Sequence, residues 1–513
     1  MTSRHGDGSN RSGWTPGKVV TAAVSAVALA SLVAAMAVAR PAPSAVDADG
    51  RASSVMEQTV SQKLVESYCP ARMTLADASQ YGDSAFRASE GDIASSSRYA
   101  AFGAVYASSL STLSGDDRGE LADADPTDAS AVRVLSGDAN DGSLLQTTQL
   151  LASEDGNGVA SSTVSWASQG DLRGLAAVGC VSPAFSHSFL LPATQTGWAQ
   201  QLVVANPSSK ATSVTVQAWG TSSQGRIRLA VSGTVAVASR GESTVDLAAA
   251  AAGQDALYVT VSSNETPVDA LVRVTAMNGL TPQGNDYVTA AAAASRTLAI
   301  PGVAGSIGAR VLMYAEQGGH ASVSWIGADG ATNATAIDFE GQRVTVVDLG
   351  TPPAGATGVR IDADADVQAA VVASAGGGQG GQSDFAVIGA GAAATVSAVA
   401  VPDQTDGTLY AVNATGDQTV VTVDAFDASG RSIGSRELTV AGGAGVAVAL
   451  SDLGAQTAAV RLTDASSAVV WNVSAHRSQL DAAQVAAVAS LAPSALTPRS
   501  SLVRAVARPG VVG

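Results

Sequence analysis

One feature constrains this chain more than any other: a segment of about 100 residues recurs along it, and self-similarity at that period signals an array of small domains. Leu202-Val203-Val204-Ala205-Asn206 returns as Leu312-Met313-Tyr314-Ala315-Glu316 and as Leu409-Tyr410-Ala411-Val412-Asn413. The segment that follows alternates in each copy, with Val214 and Val216, Ala321 and Val323, Val421 and Val423 on one face. Alternation of period two with one apolar face describes a half-buried strand. Asp246-Leu247, Asp348-Leu349 and Asp452-Leu453 then end a further strand. A hairpin is expected next, from Val259 and Val261, Val359 and Ile361, Val460 and Leu462, with returns from Val268, Val367 and Ala468.

Each copy ends in an apolar strand stopped by proline: Leu298 to Pro301, Val399 to Pro402, and Val506 to Pro509. The last of these lies four residues from the end of the sequence, so the strand is assigned to the module before it. Phe189-Leu190-Leu191-Pro192 closes an earlier, divergent module by the same logic. The expected modules are 52–192, 193–302, 303–402 and 403–510. Short strands with turns every 8–15 residues predict an all-β chain of tandem Greek-key sandwiches of immunoglobulin-like type (about seven strands each). The alternative is a β-propeller with two four-stranded blades per repeat, although an aromatic signature per blade is lacking.

Upstream of the repeats, Val19 to Ala39 are 21 uncharged, mostly apolar residues. As a helix they span about 31 Å, the thickness of a bilayer core. Arg4, Arg11 and Lys18 precede the run. The positive-inside rule therefore places 1–18 in the cytoplasm, 19–39 across the cell membrane as a single pass, 40–51 as a linker, and 40–513 outside. Cleavage of a signal peptide after Ala37-Val38-Ala39 is the competing reading; the length of the run and Arg40-Pro41 weigh against it.

Cys69 and Cys180, the two cysteines of the chain, both fall on the exported side. A pair in an oxidising compartment reads as one disulfide, with two separate buried thiols as the alternative. Closing a loop of roughly 110 residues stabilises by about 4–5 kcal/mol in the chain-entropy model.

The net charge of −16, with lysine only at 18, 63 and 210, argues against nucleic acid as a partner. Arginine in excess of lysine, with abundant Ala, Gly and Val, looks like a high-GC actinobacterial genome. No catalytic, cofactor or metal site is expected. His5, His187, His320 and His476 lack metal-type spacing. The Asp362-Ala363-Asp364-Ala365-Asp366 run invites a calcium reading, but the other copies place ordinary turn residues there. Trp198, Trp219, Trp325 and Trp471 are read as packing residues first and as sugar platforms second.

Cys69-Pro70, Leu175-Ala176-Ala177 leading to Cys180 and Pro183, and Leu202 to Pro207 carry a resemblance. The chain is similar over most of 60–510 to an uncharacterised actinobacterial family of large secreted proteins with one N-terminal membrane segment. Ser188-Phe189 stands where a Trp-Phe pair belongs to that pattern. The resemblance implies topology and compartment, not chemistry. The expected function is a non-catalytic, membrane-anchored scaffold, spacer or adaptor of the cell envelope, with cell-wall glycan or other envelope proteins as partners. The alternatives are an envelope polysaccharide-binding protein and an envelope hydrolase.

Overall fold

The computed structural model describes residues 45–46, 52–76, 88–121, 124–498 and 500–507. The expected membrane segment 19–39 lies outside them, and no helix among the described residues is long and apolar enough to cross a membrane. The chain forms two units, residues 1–61 with 499–513, and residues 62–498. In the smaller unit, strand β1 (Ala45–Val46) pairs antiparallel with β2 (Ala52–Ser61).

The larger unit holds four copies of one β-sandwich. The first runs β3 (Leu64–Cys69), β4 (Ala94–Phe102), β5 (Val105–Ser111), β6 (Asp117–Glu120), β7 (Val132–Gly137), β8 (Leu144–Leu150), β9 (Gly158–Ala167) and β10 (Gly174–Gly179). Its sheets have the orders β6-β5-β8-β3 and β7-β4-β9-β10. The second runs β11 (Ser186–Leu191), β12 (Trp198–Asn206), β13 (Thr212–Trp219), β14 (Thr234–Val237), β15 (Gly241–Asp246), β16 (Leu257–Ser263), β17 (Asp269–Asn278) and β18 (Thr281–Val288). Its sheets, β14-β13-β16-β11 and β15-β12-β17-β18, repeat the first pattern strand for strand.

The third sandwich comprises β19 (Ser295–Pro301), β20 (Gly308–Ala315), β21 (Gly319–Gly327), β22 (Gly330–Phe339), β23 (Arg343–Gly350), β24 (Gly358–Ala375) and β25 (Asp384–Gly389). The fourth comprises β26 (Val396–Ala400), β27 (Asp406–Asn413), β28 (Thr419–Phe426), β29 (Ser432–Val440), β30 (Gly445–Ala449), β31 (Ala459–Thr463), β32 (Val469–His476) and β33 (Ala489–Leu491), with β34 (Ser494–Ala495) added beside β26. All the ladders are antiparallel.

Several expectations change here. The proline-stopped strand opens the next sandwich instead of closing the one before: β11 pairs with β16, β19 with β24 and β26 with β31. The C-terminal copy, β35 (Ser500–Ala507), pairs with β2 in the smaller unit. The boundaries at 192, 302 and 402 therefore cut each sandwich from its first strand, and 52–61 and 500–507 lie outside the sandwiches. The expected hairpin after the Asp-Leu turn is a crossing between sheets, because β16 ladders with β13 while β17 ladders with β12. In the third copy one uninterrupted strand, β24, makes that crossing through the Asp362–Asp366 run. An immunoglobulin sandwich sets its first strand beside its second; here the first pairs with the sixth, so the topology is a different one. A propeller does not fit either, since each sheet mixes non-consecutive strands.

The four sandwiches nevertheless close into a ring. Tyr68 packs against Val203, Ala205 and Leu271 between the first and second. Tyr258 and Trp219 meet Leu312 and Tyr314 between the second and third. Ala299 and Ile326 meet Val412 and Val470 between the third and fourth. Phe426, Ala398 and Ala400 close on Phe102, Ala100 and Val134 of the first. Strands β9, β12, β17 and β20 are thus largely buried on both faces, one in their own core and one in a wall, while strands such as β15 and β22 keep an exposed face. That explains how so few aromatics suffice: Val and Ala pack closely between thin layers.

Candidate functional site: the ring centre and an interfacial cleft

The last strand of every sandwich lies at the inner edge of the ring, where β10, β18, β25 and β33 approach one another. An inner edge presents backbone N–H groups with no ladder partner, and buried amides need acceptors. Asp384, at the start of β25, supplies them. Its Oδ2 accepts from the Leu175 N–H at 2.9 Å and the Val488 N–H at 3.1 Å. Its Oδ1 accepts from the Asn285 N–H at 3.2 Å and its neighbour Phe385 at 3.0 Å. One carboxyl group thereby collects an amide from each of the four sandwiches. Glycine is required opposite it: a Cβ on Gly174 would stand 2.7 Å from Asp384 Oδ2, and one on Gly284 2.6 Å from Oδ1.

Asp286 of β18 is buried beside it and accepts the Val387 N–H at 2.7 Å. Burial pushes both carboxyls well above the ordinary range, against the downward pull of the N–H donors, and the charge of Asp384 raises Asp286 further. Sequence reading missed both residues. The available signal was an acid set directly before an aromatic inside an apolar strand, as Asp286-Tyr287-Val288 and Asp384-Phe385-Ala386.

Away from the centre, the wall between the second and third sandwiches opens into a cleft of about 670 Å³. The Tyr258 and Tyr314 rings stack at its base, centroids 3.7 Å apart, with Trp219 against both. The Tyr258 hydroxyl donates to Gln368 Oε1 at 2.7 Å, and the Gln368 amide donates to Ser188 Oγ and the Ala292 carbonyl. The Tyr314 hydroxyl donates to Glu316 at 3.0 Å.

Asp364, Ala365 and Asp366, the end of the Asp362–Asp366 run, border this cleft, and the carboxylates of the run do not converge on one point. Asp362 pairs with Arg360 at 2.7 Å, Asp364 accepts the His320 N–H at 2.8 Å, and Asp366 faces Arg296 at 3.5 Å. Among the described residues no group of three acids, histidines or cysteines is placed to hold a metal. The tryptophans offered as platforms are packed: Trp325 in the third core, Trp471 in the fourth with Nε1 donating to Ser397 Oγ, and Trp198 against Phe385. Cys69 and Cys180 form a disulfide, Cα atoms 4.4 Å apart, joining the first strand of the first sandwich to the segment after its last.

Four copies of one strand order closed on a shared centre describe a repeat family rather than a single graft. The chain belongs to a family of unknown function, DUF5719, whose model matches residues 134–451. The matched span begins in β7 and ends just after β30, so it takes in parts of all four sandwiches. No curated protein matches the chain. Among solved structures, a tetra-tandem repeat from the extending region of a large adhesion protein is 12% identical, with 79% of this chain and 91% of that one covered, at a TM-score of 0.11.

Proposed function

We propose that this member of the family is a non-catalytic scaffold of the cell envelope, held in the cytoplasmic membrane by residues 19–39 with 40–513 outside. Its arginine-over-lysine bias supports an actinobacterial origin. The observation that carries the reading is the ring centre. Strongly desolvated carboxyls are the usual candidates for catalysis. The two central ones, Asp286 and Asp384, are instead committed to backbone amides in a closed interior. Carboxyls used in this way fix the relative positions of four sandwiches, and a rigid array of outer loops suits a platform for envelope proteins or cell-wall glycan.

The smaller unit supports a tether. The β2–β35 ladder ties the segment that follows the apolar run to the C-terminal segment, so one anchor secures both ends. Crosslinking in intact cells, followed by capture of the full-length chain, tests the proposal. A defined set of envelope proteins or wall fragments crosslinked to the ring is expected. Full protection of residues 62–498 from protease added to wall-stripped cells would overturn the topology.

A further inference from the structure

Four quasi-equivalent walls allow a comparison that points to a ligand. The wall between the third and fourth is filled by the apolar side chains Ala299, Ile326, Val412 and Val470. In the wall between the first and second the polar groups are spent on each other, the Tyr68 hydroxyl on Glu242 and the Tyr287 hydroxyl on the Ala71 carbonyl. The wall between the second and third carries tyrosine hydroxyls and an orientated amide, and it gives way to the 670 Å³ cleft described above, twice the 330 Å³ of the pocket that Asp128, Ser130, Asp424 and Arg461 line between the fourth and first. That volume lies inside the range of about 300–1,000 Å³ usual for small-molecule sites, which favour domain interfaces.

The two sides of the cleft differ in chemistry. Ser186, Ser188 and Thr260 of the second sandwich offer hydroxyls; Glu316, Asp364 and Asp366 of the third offer carboxylates. We propose that this cleft binds an uncharged, hydroxyl-rich ligand, a short neutral saccharide. A sugar hydroxyl both donates and accepts, so it can give its proton to a carboxylate on one side while taking one from Ser or Thr on the other. An anionic sugar meets three carboxylates and one guanidinium, Arg296, which already faces Asp366. A bare cation finds the carboxylates directed to separate partners. Recognition rests on hydrogen bonds rather than ring stacking, because Tyr258 and Tyr314 are only 7% and 3% exposed. This site is independent of the scaffold reading.

The test uses the purified full-length chain titrated with maltotetraose, chitotetraose and, as charged control, tetragalacturonate. Calorimetry gives the affinity, and the emission of Trp219, packed on both tyrosines, reports the site. At least one neutral tetrasaccharide is expected to saturate at or below about 1 mM, with tetragalacturonate inert. The paired change Asp364→Asn with Asp366→Asn is expected to weaken binding about tenfold, since each loses a charged acceptor at an exposed position. An unchanged melting temperature in that variant separates lost recognition from lost folding. No saturation by either neutral sugar up to about 10 mM, equal binding of the charged control, or undiminished binding by the double variant would each overturn the site.

Discussion

The centre of the ring and its walls solve the same problem in opposite ways. Both bring sheets of neighbouring sandwiches together without a shared ladder. The walls do it mainly with apolar surface: Phe102 meets Phe426 edge-on with centroids 6.0 Å apart, among alanines, Val132, Val134 and Leu496. The centre brings backbone edges together, and apolar packing there would leave amides unpaired, so a carboxyl is required. Wall energy is spread over many small contacts and tolerates loss, whereas central energy is concentrated in a few side chains, Asp384 foremost, with Asp286 and Gln382 beside it.

The largest expected effect follows directly. Asp384→Ala strips acceptors from four buried amides, and at about 1–3 kcal/mol for each unpaired group, less what entering water restores, the loss is on the order of 5 kcal/mol. Chemical denaturation of the full chain measures it; a variant as stable as the parent would show that the centre does not hold the ring. Asp384→Asn keeps one acceptor oxygen and is expected to fall between the two.

Removal of the disulfide by Cys180→Ser comes next. The bond closes 111 residues, so its loss is expected to cost about 4 kcal/mol. It staples only the first sandwich, and non-reducing against reducing denaturation should affect the walls of that sandwich before the others. An identical transition in both conditions would remove the staple from the account.

A wall substitution ranks third. Phe426→Ala deletes a buried ring between the fourth and first sandwiches and should destabilise by about 3 kcal/mol. If it cost more than Asp384→Ala, the contrast between concentrated and distributed energy would be reversed.

The smallest effect is in pH dependence. Asp269 of β17 is buried at the wall between the first and second sandwiches, and neither of its carboxyl oxygens has a hydrogen-bond partner. Burial, then the charge of Glu66, pushes it well above the ordinary carboxyl range. A carboxyl raised on folding holds its proton more tightly in the native state than in the unfolded chain. Its contribution is therefore greatest below the ordinary carboxyl range and is lost as pH climbs through the raised value. Asp269→Asn cannot ionise, so its melting temperature should gain on the parent as pH rises from about 5 to 8. Asp286 and Asp384 are raised too, so some slope should remain in the variant. Parallel curves would show that Asp269 does not titrate in that window.

Much of the architecture was legible in the repeat. The strands led by Leu202 and Leu409, the alternating strands that follow them and the strands of Val259 and Val460 all sit in corresponding places. The recurring Asn206 and Asn413 are buried, and each donates its amide to two carbonyls, one of them in the turn just beyond it. The third copy was misaligned by one residue. Val311, Met313 and Ala315 face their own core, while Leu312 and Tyr314 face the second sandwich. A one-residue slip exchanges the two faces of a strand. Here both faces are buried, so alternation gave no contrast by which to set it.

That this chain is all-β and repetitive was readable without a structure, because those properties follow from side-chain period over a few residues. Tertiary structure decided where each repeat begins. A pattern that recurs about every 100 residues can be cut at any phase with equal local merit, and only the ladders of β11, β19 and β26 show which sandwich owns them. It also decided the role of Asp384. An acid in an apolar strand is a local oddity until four backbone edges, separated by more than 300 residues from Leu175 to Val488, converge on it.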